Sequence, residues 1–102
     1  MTNFVLTPAA QADVEEIWTY TVGRWGEAQA AAYIGAIGDA CRDLASGARI
    51  SRPVDVRAGY RKSAVGSHVI FFTADGAEPI VVVRVVHRRM DAERHLPGGR
   101  EP

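Results

Sequence analysis

Cysteine is almost absent from this chain: Cys41 is the one thiol among 102 residues. A disulfide framework within the chain is thereby excluded, and a zinc site built on paired cysteines with it. Long apolar runs are missing too. No segment approaches the roughly 18 to 20 apolar residues that span a bilayer. The opening "MTNFVLTPAA" also lacks a basic region followed by a long apolar stretch, so neither export nor membrane insertion is expected and the cytoplasm is the expected location. Net charge is absent as well, because twelve basic and twelve acidic residues cancel. That balance argues against a protein that coats nucleic acid by neutralising phosphates. Internal repeats and low-complexity segments are likewise lacking.

What is present is one small domain, expected over residues 1–96 with 97–102 as a frayed tail. Hydrophobic residues make up 47% and charged residues 24% of the chain, an ordinary balance for a folded domain. Charge is unevenly placed. Up to Ala48, Arg24 and Arg42 stand against six acidic residues; from Arg49 onward ten basic residues stand against six acidic ones. The second half therefore carries the positive surface.

"NFVL" is a short strand ending at "TP", where Thr7 can cap a helix and Pro8 suits its first turn. Ala10, Val14, Ile17, Trp18 and Thr21 then recur at helical spacing to about Trp25, with Asp13, Glu15 and Glu16 mostly off that stripe. Gly26 breaks this helix. A second one carries Ala30, Ile34, Ile37, Cys41 and Leu44 and stops at Gly47. The small residues of this hairpin, Gly35 and Gly38 among them, are expected to permit close packing. After a charged, proline-containing loop come "YRKSAV", "SHVIFFTA" and "PIVVVRVVH", separated by Gly66 and by "DGAE", which read as an antiparallel meander.

The expected fold is α+β: two layers in the order β-α-α-β-β-β, a helical hairpin packed on a mainly antiparallel sheet. Only one sheet face is covered that way, yet the last strands are apolar on both. Strict alternation groups Val81, Val83 and Val85 against Ile80, Val82 and Val86, with Arg84 among the latter. An exposed face that includes Ile80, Val82 and Val86 or their neighbours would be a partner site.

Candidate chemistry is thin. His87, Asp91 and His95 are four apart, but His87 ends a run of β-branched residues and should be extended, so no metal site is expected. RNA cleavage would use His87, Arg84, Arg61 and Lys62 as acid, base and phosphate-binding cations. Alternation sends Arg84 and His87 to opposite faces, so no catalytic set is expected. His68 reads as a capping or core histidine at a strand start. Trp18 reads as core and Trp25 as a wedge in the helical turn, which leaves Tyr20 as the reachable aromatic residue.

The motifs "LTPAAQADVEEIWTY", "RWGEAQAAAYI", "RAGYRKSAVGSHVIFF" and "VVRVVHRRMDAERHL" occur in an order that resembles the ParE toxins of the RelE/ParE superfamily of bacterial type II toxin–antitoxin modules. The resemblance covers nearly the whole chain. It implies a toxin that acts on DNA gyrase by protein–protein interaction, without catalytic residues, metal or cofactor. It also implies a ParD-like antitoxin with a ribbon-helix-helix DNA-binding part and a segment that wraps the toxin. Tyr20, Arg57, Arg61, Ile80, Val82 and Arg84 are the expected antitoxin contacts, the arginines because guanidinium groups suit bidentate recognition of carboxylates. His87, Arg88, Arg89, Met90, Asp91 and Arg94 are the expected target contacts. This segment should leave the sheet at about His87, turn helical from Asp91 and be tethered by Leu96. Two alternatives stay open: a ribosome-dependent messenger RNA endoribonuclease of the RelE type, and a non-toxic relic that only binds antitoxin.

Overall fold

Thr7 hands the first strand over to the first helix as its chemistry requires: its hydroxyl accepts the Ala10 N–H at 3.0 Å and donates to the Val83 carbonyl at 3.0 Å. One side chain thus caps the helix and pins it to the sheet. The computed structural model describes residues 4–55, 58–73 and 79–90. Its elements are β1 (Phe4–Leu6), α1 (Pro8–Trp25), α2 (Glu27–Ser46), β2 (Arg52–Pro53), β3 (Tyr60–Val65), β4 (His68–Thr73) and β5 (Ile80–His87). Gly47 ends α2 in the left-handed conformation, φ 84°, and its N–H reaches back to the last turn, as a helix stop requires.

The sheet runs β1-β5-β4-β3-β2. β1 lies parallel to β5 and the other pairings are antiparallel. The expected two-layer α+β arrangement holds, with β2 as a short addition inside what reads as loop.

Two apolar clusters sandwich the sheet. Ala10, Ile17, Ile37, Ala40, Cys41 and Leu44 from the helices meet Ile70, Phe72, Ile80, Val82 and Val85. On the opposite face Phe71, Val83 and Val86 form a second buried cluster with Val54. The second face is therefore not the open apolar surface expected. Ile80 and Val82 are 5% and 0% exposed; they lie in the helix-side core and offer a partner nothing in this form. Val86 belongs to the second cluster, where it is buried too.

The reason is a bulge. Phe71 pairs with Arg84 but Phe72 pairs with Val82, so Val83 is an extra residue in β5, and an extra residue inverts the alternation beyond it. Ile80, Val82 and Val85 consequently share one cluster, and Val81, Val83 and Val86 the other.

Asp13 explains the bulge. Its carboxylate accepts Arg84 Nε at 2.7 Å, the second Arg84 guanidinium nitrogen at 2.9 Å and the Val85 N–H at 2.9 Å. A backbone donor released from the ladder is satisfied by a side chain of α1. Asp13 is thus buried on the apolar stripe, not off it. Close packing does not account for the α2 glycines: a Cβ on Gly35 would meet nothing within 4 Å, and one on Gly38 only the end of Arg42.

Candidate functional site

β5 ends between two clefts, and His87 and Met90 line both. The first, of about 620 Å³, lies between α1, the start of α2, the β3–β4 turn and the end of β5. Tyr20 and Trp25, each 64% exposed, stand on its rim. The Arg24 guanidinium lies 5.7 Å from the Tyr20 ring centre and 5.9 Å from that of Trp25, within cation–π range. Trp18 is also exposed. Tyr20 is therefore reachable as expected, but Trp18 is not core and Trp25 wedges nothing shut. The α1 stripe is filled instead by Ala10, Asp13, Ile17 and Thr21.

The back of this cleft is a joint of three rings. The Tyr33 hydroxyl accepts the Ser67 N–H at 3.0 Å and lies 2.7 Å from His68 Nδ1 and 3.3 Å from the Val65 carbonyl. His68 meets His87 edge-on, ring centres 5.5 Å apart. Gly66 permits the joint, because at φ +57° a Cβ there would fall 2.7 Å from the Tyr33 ring. Burial, and then the neighbouring His87, lower the His68 pKa below its ordinary value. His68 is therefore a hinge-pin between α2 and the β3–β4 turn as much as a strand-start histidine.

Beyond β5 the backbone is still held. Arg88 N–H donates to the Ser67 carbonyl at 2.9 Å, Met90 N–H to the His87 carbonyl at 2.9 Å, and Arg89 N–H to His87 Nδ1 at 3.2 Å. The side chains of Arg88, Arg89 and Met90 are exposed. The chain does leave the sheet at His87, whereas Asp91, Arg94 and Leu96 lie outside the described residues.

The second cleft, of about 500 Å³, opens on the other side of β5 toward Ile50, Arg52 and Lys62. Ile50 is 91% exposed and no sequence signal singles it out.

The other expected contacts divide. Arg61 is half-buried and already donates to Ser51, Nε to the hydroxyl at 2.8 Å and a terminal nitrogen to the carbonyl at 2.9 Å. Arg84 is held by Asp13, and that hydrogen bond raises its pKa. Arg57 lies outside the described residues. Because of the bulge, Arg84 and His87 line the same cleft, contrary to strict alternation. In that cleft the Arg84 guanidinium is paired with Asp13. Among the described residues no three His, Cys, Asp or Glu side chains are grouped to hold a metal ion.

A short strand, a helical hairpin and a meander on one mixed sheet make up a two-layer α+β fold. A solved chain of the chromosomal ParDE toxin–antitoxin system of P. aeruginosa superposes with a TM-score of 0.71, covering 85% of this chain and 96% of that one at 22% identity. Residues 4–92 match the family model of the ParE toxin of the type II toxin–antitoxin system parDE, and the chain belongs to that family. It is 46% identical to Toxin ParE1 of Mycobacterium tuberculosis over 95 residues, 92% of this chain and 97% of the relative. It is 37% identical to Toxin ParE1 of Caulobacter vibrioides over 97 residues, 94% of this chain and 99% of the relative. Toxin ParE of Escherichia coli follows at 33% over 97 residues, covering 94% of each chain.

Proposed function

We propose that this ParE-family toxin inhibits DNA gyrase by protein–protein contact, without catalysing a reaction of its own, and is neutralised in the cytoplasm by a ParD-like ribbon-helix-helix antitoxin. The observation that carries the reading is 46% identity to Toxin ParE1 along almost the full length of both chains. The exposed, cationic exit from β5 is the part suited to the target: Arg88, Arg89 and Met90, with Asp91 and Arg94 beyond. Surface cations of this kind speed encounter with an anionic assembly such as gyrase on DNA. Tyr20 on the first cleft is proposed to contact the antitoxin. DNA is reached only through gyrase or through the antitoxin.

Induction of the chain in a bacterial host, with and without the antitoxin, tests this reading. Growth arrest with a DNA-damage response, relieved by the antitoxin, is expected. Arrest with cleaved ribosome-bound messenger and intact DNA would support a ribonuclease instead, and unimpeded growth would support a relic.

A further inference from the structure

The loop between α2 and β2 carries the most exposed large apolar side chain of the described residues, Ile50, 91% exposed, yet its backbone is firmly held. Ser63 Oγ donates to the Ile50 carbonyl at 3.0 Å, and Arg61 holds both the hydroxyl and the carbonyl of Ser51. From the other side Arg49 donates to Ser63 Oγ at 3.2 Å and to the Ala64 carbonyl at 2.7 Å. A frayed loop would expose an isoleucine by default; this one presents it in a fixed place. Anchors fixed before binding lose little entropy when a partner arrives.

The adjoining second cleft supplies the rest of a docking surface. Its floor is apolar, with Val69 and Phe71 beneath, and Met90, 56% exposed, stands at its far end. Its rim is basic. The exposed side chains of Arg52 and Arg88 make no hydrogen bond or ion pair among the described residues, and no described lining residue is acidic. The first cleft differs, because Asp13 and Glu16 there accompany Arg24 and Arg84. A nucleic acid fits the second cleft poorly: binding bases needs accessible aromatic faces, and Phe71 is buried to 4% exposure. A polypeptide with an apolar residue between carboxylates fits floor and rim together.

We infer that this cleft, anchored by Ile50 and rimmed by Arg52 and Arg88, seats an acidic amphipathic segment of the antitoxin. The inference rests on the toxin–antitoxin reading above and adds a mechanism of neutralisation to it. A segment seated there covers Arg88 and Met90, which the reading assigns to the target, so antitoxin and gyrase exclude each other by occupying the same residues. It also replaces the expected receivers Arg61 and Arg84, whose guanidinium groups are engaged within the fold, by two that are not.

The test is a titration of the ParD-like antitoxin into the purified chain and into an Ile50→Ala, Arg52→Glu double variant, with gyrase inhibition measured on the same samples. Circular dichroism confirms that the variant is folded. The variant is expected to bind antitoxin at least about tenfold more weakly, with a shallower salt dependence, to inhibit gyrase as before, and to need more antitoxin for relief. Unchanged antitoxin affinity would overturn the inference, as would a loss of affinity for a DNA oligonucleotide with antitoxin binding kept. If the unmodified chain bound no antitoxin, the pairing itself would fall, an outcome seen before any variant is made.

Discussion

Asp13 shows how one residue can set the geometry of a strand 71 positions away. Its spacing from Ala10, Ile17 and Thr21 fits the buried stripe of α1, yet its charge set it off that stripe in the sequence, and nothing local announces Arg84. Removing one member of such a pair leaves a partly buried guanidinium and the Val85 N–H without a partner. Asp13→Ala should therefore cost about 3 kcal/mol in urea unfolding, and a loss under about 0.5 kcal/mol would mean that the bulge is held by other contacts. Gly66→Ala forces a side chain into the left-handed region and against Tyr33, so about 2 kcal/mol should be lost, whereas Gly47→Ala carries the left-handed strain alone and meets no neighbour. Cys41 is buried, and burial pushes its thiol from 9.0 up to about 11. The folded state keeps that proton longer than the unfolded one, so the related stability is complete below pH 9 and is lost as pH rises toward 11. Ellman's reagent at pH 8 should accordingly label the native chain far more slowly than the urea-unfolded one.

Element boundaries were legible wherever local chemistry decides them. Thr7 and Pro8 start α1, Gly26 separates the helices and Gly47 ends α2 in the places their conformational preferences dictate. β2 was not legible, since two residues paired with Arg61 and Lys62 leave no periodicity to read. The β5 bulge escaped for a different reason: the six apolar residues among Ile80–Val86 fit either phase, Arg84 alone does not, and the phase is chosen by a carboxylate on another element. Within α2, Gly35 has open space around the position of a Cβ, and Gly35→Ala should raise stability by roughly 1 kcal/mol; a destabilised variant would reveal a contact that the folded chain hides. The joint of Tyr33, His68 and His87 ties α2, the β3–β4 turn and the exit of β5 into one acid-sensitive unit. Facing it are Glu16, Tyr20 and Arg24 from α1, Arg84 paired with Asp13, and the Arg88 and Arg89 that follow. Because the folded His68 pKa lies below its ordinary 6.5, the unfolded chain takes up the proton first as pH falls. The stability from this group is complete above about pH 6.5 and declines as pH drops through the folded value. Thermal midpoints between pH 8 and 5 should fall less steeply in His68→Gln than in the parent chain.

Across the whole molecule the charge division visible in the sequence takes a spatial form. The helical layer carries most of the acidic residues of the first half, while Arg52, Arg88 and Arg89 stand exposed on the sheet side and at its end. The apolar residues on both sheet faces, which alone suggested an uncovered surface, are buried in two clusters on either side of one sheet. The exposed Tyr20, Trp25, Ile50 and Met90 line instead the two clefts that flank the end of β5. Inhibition of gyrase by contact, as proposed above, is tested by incubating the purified chain with gyrase, supercoiled DNA and ATP, then adding detergent and protease to reveal trapped breaks. Linear DNA should accumulate with increasing toxin and disappear when antitoxin is added first; unbroken DNA and undiminished supercoiling at saturating toxin would rule out gyrase as the target.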